Sequence, residues 1–301
     1  GYRGKVNIAT KLPTWLIRSR NDMDQLLNEQ LERLQTDVID FYLLHSLTKE
    51  AWSKLETLGV TKFLDYAIRL GKIRHAGFSF HDNSDAFREI INSYNWSFCQ
   101  IQYNYLDEEF QAGTTGLQYA AAKGIAVVAM EPLRGGKLAR NLPDEVSALF
   151  ESRGLGRSPA WWAFRWVWNH PEIAVVPSGM NSLEDVARNL ETAGEGIPDS
   201  LGREDIRLLQ QAKSIFMART RVRCTACGYC MPCPSGVNIP GNFNYYNDYH
   251  MFSSPEARQS TLRLYNNLIT PGERPSACIE CGQCEERSEE RRVGKECRSR
   301  W

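Results

Sequence analysis

Seven cysteines stand in two runs with a fixed step. Cys224-x2-Cys227-x2-Cys230-x2-Cys233 leads directly into Pro234, and Cys278-x2-Cys281-x2-Cys284 repeats the two-residue spacing. Three thiolates so placed suit one iron–sulfur cluster, and a cysteine before proline ligates the other cluster of a pair. Zinc is the competing metal, but a zinc ribbon uses two thiolates per hairpin rather than three. In the crossed arrangement Cys233 joins Cys278, Cys281 and Cys284 to hold one complete [4Fe–4S] cluster, while Cys224, Cys227 and Cys230 supply three thiolates to the second. The Cys-Pro pair expected four residues after Cys284 is Ser288-Glu289 instead, and Cys297 could substitute only by folding back. One robust cluster and one labile site are therefore expected. Eight of the nine cysteines lie between residues 224 and 297, and the start, GYRGKVNIATK, has no apolar leader. Clustered thiols without an export signal point to metal rather than disulfides and to a cytoplasmic protein. The ninth, Cys99, lies inside an apolar run and reads as a buried small hydrophobe.

A second chemistry is carried by Lys11, which closes the run VNIATK, and His45, which closes VIDFYLLH. Each alone is an ordinary polar strand end. Side by side they are more specific: an ammonium lowers the pKa of a neighbouring proton donor, and an imidazole orients a carbonyl, as carbonyl reduction by hydride requires.

The elements that must position these residues follow a βα rhythm from residue 6 to about 217. Apolar runs at Val6–Lys11, Val38–His45, Arg74–Phe80, Phe98–Tyr103, Ile125–Met130 and Ile173–Ser178 read as strands covered on both faces. Helical spacing marks Asp22–Gln35 and Ala51–Leu70, and Ser158-Pro159 opens a tryptophan-rich helix by a Ser cap with Pro at its first position. Six such units fit an open doubly wound sheet or six units of an eight-stranded barrel. The barrel is favoured because Lys11, His45, Ser79, Gln100, Glu131 and Ser178 fall at or near the C-terminal ends of different strands, and no Gly-rich dinucleotide loop follows any strand. The expected domains are 1–217, a partial barrel; 218–284, a ferredoxin-like iron–sulfur module; and 285–301, a tail with eleven charged residues among seventeen that reads as disordered. The 36 basic residues balance the 36 acidic ones across 301 residues, which argues against nucleic-acid binding. No apolar run approaches the roughly 18 residues of a membrane span.

The segments ATKLP, DVIDFYLLHS, GKIRHAGFSFHD, FCQIQYNYLD, GIAVVAMEPLRGGKL and SPAWWAFRWVWNHPEIAVVPSGMNSLEDVARNL follow one another as in the aldo/keto reductases, which the chain resembles over roughly residues 3–215. The resemblance implies a (β/α)8 TIM barrel lacking here its first two βα units, about 60 residues at roughly 30 per unit. It implies a catalytic tetrad of Asp, Tyr, Lys and His, of which Lys11 and His45 match the last two; the Asp and the proton-donating Tyr would lie upstream of Lys11, so these 301 residues alone are expected to be inactive. It also implies NADP, or NAD, as cofactor. Ser79 and Gln100 match the contacts to the nicotinamide amide, and Met130 stands where the family usually has a stacking aromatic. Pro132, Leu133, Arg134, Gly135 and Gly136 match the pyrophosphate loop, with Arg134 offering charge. Ser178, Gly179, Met180 and Asn189 match the adenine and ribose end, with Arg188 nearby. One branch of the family carries a C-terminal module similar to two-cluster ferredoxins. The resulting expectation is an NAD(P)-dependent oxidoreductase acting on a small carbonyl or alcohol and served by an electron-transfer partner. The alternative is an electron-transfer protein whose barrel is a docking scaffold.

Overall fold

A computed structural model of the chain describes residues 2–140, 142–224, 226, 228–252 and 254–287. The expected ligand Cys227, together with Ser288, Glu289 and Cys297, lies outside the described residues. The chain forms two compact units: Gly1–Tyr103, Gln111–Met130 and Pro171–Ser178 in the first, and Asn104–Phe110, Glu131–His170 and Gly179–Trp301 in the second.

Among the described residues of the first unit, six parallel strands form one sheet in sequence order: β1 (Ala9–Leu12), β2 (Ile39–Leu47), β3 (Ile73–Phe80), β4 (Phe98–Gln102), β5 (Ala126–Met130) and β6 (Ile173–Val175). Strands laid down in strict order have no topological switch point, which is the winding of a barrel and not of a doubly wound sheet. Helices α1 (Arg20–Leu34), α2 (Lys49–Thr57), α3 (Val60–Arg69), α4 (Ser84–Ser93) and α5 (Gly113–Ala122) cross between the strands. The single helix expected over Ala51–Leu70 is two, because Gly59 adopts φ 76° and ends the first. Their inner faces meet an aromatic core in which Phe78 lies 4.9 Å from Trp96 and Trp96 5.7 Å from Trp52. Each such buried ring contributes about 1.5–3 kcal/mol by removal from water. Both faces of β2 are largely covered, as its apolar run predicts, but β6 is not: Val175 is 53 % exposed on a strand hydrogen-bonded to β5 alone among the described residues.

Register decides which side chains share the other face. Lys11 pairs with Leu43, Leu43 with Gly77 and Gly77 with Phe98, while Ser79 pairs with Gln100, Gln100 with Val128, and Gln102 with Met130. Side chains alternate along a strand, so Lys11, Ser79, Gln100 and Met130 point to one side. Gly77 makes room in that layer: a Cβ there would meet the Phe98 ring at 2.6 Å.

The second unit holds α6 (Asp144–Ser152), α7 (Pro159–Trp168), α8 (Leu183–Gly194), α9 (Arg203–Ala218), α10 (Ile239–Met251), α11 (Pro255–Leu268) and α12 (Gln283–Arg287). The Ser158 hydroxyl caps α7 by accepting from Trp161 N–H, as read from the sequence. The division into units runs through the segment expected to be barrel, because the loops after β4 and β5 pack with later helices: Tyr105 meets Phe216, and Phe216 meets Phe252. Glu285–Arg287, assigned by composition to the tail, close α12; Gln, Glu and Arg are good helix formers. Residues 288–301 of that tail lie outside the described residues. Among the described residues, no helix is long and apolar enough to cross a membrane.

Candidate active site and iron–sulfur segment

Lys11 is half-buried near the end of β1, its carbonyl held by the Gln30 amide at 2.8 Å, and Gln30 in turn accepts from Tyr42 Oη at 2.9 Å. Burial holds the Lys11 ammonium pKa below the ordinary lysine value. His45 lies close enough to feel it: burial first, and then the Lys11 charge, lowers its imidazole pKa. The His45 carbonyl accepts from Thr14 Oγ1 at 2.7 Å, and the Trp15 ring sits over the imidazole at 5.0 Å. Lys11 and His45 thus lie towards the C-terminal ends of the neighbouring strands β1 and β2. Two neighbours were not singled out in the sequence. Trp15, 60 % exposed, stands in the turn after β1. His81 follows β3 and is lowered by burial of its ring, then by Lys11 and His45, against a bond from Gln111 at 3.4 Å. Both occupy the loops just past a strand's C-terminal end, where a parallel barrel gathers its site.

Imidazoles held below the unfolded value of 6.5 carry a definite pH signature. As pH falls through 6.5 the unfolded chain takes up protons that the folded chain does not, so stability falls with acidification. Urea midpoints measured from about pH 7.5 to 5.5 should decline, and His81→Gln should flatten the decline. An unchanged slope would show that His81 titrates as in water.

Ser79 is fully buried and its hydroxyl accepts from Ser46 N–H at 2.8 Å, bracing the irregular stretch of β2 between Leu44 and Leu47. One hydroxyl proton remains for a ligand. Gln100 is half-buried and approaches the Met130 sulfur at 3.1 Å through its amide nitrogen. Ser178 is half-buried beyond β6.

In the second unit Glu131, Arg134, Gly135 and Gly136 all have positive φ, of 57°, 47°, 63° and 85°. No atom lies within 4 Å of where a Gly136 Cβ would be, so the glycine serves backbone conformation and leaves the chain open to approach. Leu133 is half-buried and Pro132 buried. The Arg134 guanidinium, expected to offer charge to a pyrophosphate, is instead turned onto Asp107 at 2.7 Å and Asp248 at 2.9 Å. A buried cation requires such partners, and the Arg134 charge is balanced within the protein. Gly179 and Met180 are exposed, Asn189 is half-buried on α8, and Arg188 is paired to Glu184 one turn away.

Two described positions in each cysteine segment share a backbone conformation. In Cys224-Thr225-Ala226-Cys227-Gly228 and in Cys278-Ile279-Glu280-Cys281-Gly282 the third and fifth residues are left-handed, at φ 57° and 78° in the first and 55° and 74° in the second. A non-glycine in this conformation costs roughly 1–2 kcal/mol, and it recurs at matched positions, Ala226 and Glu280, of the two segments. Cys233 has its thiol pKa lowered by Ser235 Oγ and by the backbone N–H groups of Ser235, Val237 and Gly236, and Glu280 N–H donates to Cys278 Sγ at 3.4 Å. Thiolates ringed by N–H donors fit an iron–sulfur cluster. Cys284 is raised by burial and in part by nearby Glu285 and Cys278. Among the described residues, which omit Cys227, no three His, Cys, Asp or Glu side chains are already drawn together as a metal set.

A singly wound parallel sheet with ionisable residues at its strand ends, followed by a cysteine module, defines an α/β barrel-type oxidoreductase with an iron–sulfur domain. The aldo/keto reductase family model matches residues 1–200, and a 4Fe-4S dicluster domain matches residues 223–291. The chain belongs to the aldo/keto reductase family. It is similar to the holo form of aldo-keto reductase AKR11C1 from Bacillus halodurans, with 26 % identity and a TM-score of 0.59 over 70 % of this chain and 73 % of that one. The apo form of the same protein matches at 25 % identity and a TM-score of 0.56 over the same shares. The thermostable aldo-keto reductase Tm1743, bound to the inhibitor epalrestat, shares the fold at 22 % identity, with a TM-score of 0.56 over 70 % of this chain and 72 % of that one. No curated protein matches the chain.

Proposed function

We propose that the protein is an NAD(P)-dependent oxidoreductase interconverting small carbonyls and alcohols, with a barrel region over residues 1–217 and a cluster module over 218–284. The observation that carries the reading is the placement of Lys11, Ser79 and Gln100 on one sheet face, with His45 close enough to Lys11 to feel its charge. A reduced nicotinamide bound there would supply the hydride that reduces the carbonyl carbon. The chain's residues do the rest. Ser79 and Gln100 orient the carboxamide. His45, kept neutral, donates a hydrogen bond to the carbonyl oxygen, and Trp15 walls the substrate from water. Lys11 lowers the pKa of the acid that protonates that oxygen. In the family that acid is a tyrosine, which the motifs matched here do not include. The loop Pro132–Gly136 meets the pyrophosphate through its backbone, and Ser178, Gly179, Met180 and Asn189 meet the ribose and adenine. Arg188, near that end in sequence, is paired to Glu184, so NADP in preference to NAD is an expectation from the family alone. The cysteines would hold [4Fe–4S] clusters, which would supply single-electron transfer to a partner.

Isothermal titration of NADP and NAD against the full chain tests this. Binding that weakens about tenfold in Gln100→Ala, the worth of one good hydrogen bond, supports the reading. No binding at millimolar dinucleotide with the fold intact would overturn it in favour of an electron carrier whose barrel only docks a partner.

A further inference from the structure

Helix α10 carries three buried polar side chains, Asn242, Asn247 and Asp248, and each grips a different functional segment. Asn247 accepts from Arg221 N–H at 3.0 Å and Val222 N–H at 2.9 Å and donates to the Val222 carbonyl at 2.5 Å, two residues before Cys224. Asn242 donates to the Glu273 carbonyl at 2.8 Å, five residues before Cys278, and accepts from Tyr265 Oη at 3.1 Å. Asp248 receives Arg134 at 2.9 Å through one oxygen and Lys137 through the other. Arg134 also reaches Asp107 at 2.7 Å, and Asn104 fixes Asp107 at 2.7 Å and the Glu131 carbonyl at 3.1 Å. Two cations and two carboxylates thus balance in a nearly dry cluster, with Arg134 13 % exposed and Asp248 7 % by side chain. Buried charges of this kind tolerate no vacancy, because an orphaned partner keeps its full desolvation penalty.

The consequence is a continuous path of hydrogen bonds and ion pairs from the entry of each cysteine run, along one helix, to the loop after β5. We infer that α10 is a coupling strut, so that cluster occupancy, by ordering the two cysteine segments, fixes Asp248 and through it the loop Glu131–Lys137, which sets that loop's affinity for a dinucleotide's phosphates. The last step rests on the reading of Pro132–Gly136 given above. Asp248 is a positioning residue here: it touches no reactant and acts through Arg134 and Lys137. Linkage makes the coupling reciprocal, so bound NADP tightens iron retention by the same factor.

The test compares the anaerobically reconstituted full chain with the same protein stripped of iron by a chelator. Two readouts are taken: hydrogen exchange of residues 131–138 by mass spectrometry, and NADP affinity by titration. Stripping should speed exchange in this loop and weaken NADP binding about tenfold. Asp248→Asn, which keeps the shape and removes the charge, should do both in the loaded protein with its iron content unchanged, and stripping should then add little, because the path is already cut. Loop exchange and affinity that ignore iron in the unmutated protein would overturn the inference while leaving the dinucleotide reading intact. Faster loop exchange in a protein that binds no NADP would do the reverse, sustaining the strut and removing the phosphate role. Loss of iron from Asp248→Asn equal to its loss of affinity would reduce Asp248 to a fold-stabilising residue of the module.

Discussion

Cys233→Ala is expected to abolish a four-iron cluster that Cys224→Ala leaves in place. In the crossed arrangement Cys233 completes a four-thiolate site with Cys278, Cys281 and Cys284, whereas Cys224 belongs to a site with three thiolates. The local structure sharpens the contrast. Cys233 is the cysteine whose thiolate is favoured by a hydroxyl and three backbone N–H groups, an environment that lowers its pKa and suits a ligand of the more stable cluster. Its removal leaves three thiolates, and iron analysis after anaerobic reconstitution should fall by about four irons per chain with loss of the matching electron paramagnetic resonance signal. Cys224→Ala should deplete only the labile signal. The opposite pattern, with Cys233→Ala touching only the labile site, would mean that the first four cysteines bind one cluster among themselves. Zinc in place of iron would remove the electron-transfer role altogether.

Residues 1–301 by themselves are expected to reduce simple aldehydes and ketones at no more than a trace rate. Lys11 and His45 can tune an acid and orient a carbonyl, but the proton-donating tyrosine that the resemblance implies is not among the matched motifs, and a positioned acid is worth roughly 10²- to 10⁴-fold. Steady-state NADPH oxidation with an aldehyde acceptor measures this directly. Robust turnover by these residues that His45→Ala leaves unchanged would place the chemistry elsewhere.

What could be read in advance, and what could not, divides along sequence separation. The strands were legible because apolar runs with polar ends are local signals, and the Ser158 cap on α7 is a four-residue pattern. The break at Gly59 was hidden because apolar spacing continues across it into α3. The burial of Ser79 depends on Ser46 in a neighbouring strand, 33 residues away, and on the bulge that turns its N–H inward. Arg134 looked like a free cation because its partners Asp107 and Asp248 are 27 and 114 residues distant. Cysteine spacing is a local signal that points to ligands, but the matched left-handed residues Ala226 and Glu280 carry no compositional signal, since neither residue type favours that conformation.

The measurement that bears most directly on the oxidoreductase reading is a crystal structure of the full chain grown with NADP. The nicotinamide carboxamide should lie within hydrogen-bond distance of Ser79 Oγ and the Gln100 amide, with Lys11 and His45 beside the reactive face. A dinucleotide seated elsewhere, or density only at the cysteine module with the strand ends empty at saturating NADP, would contradict it.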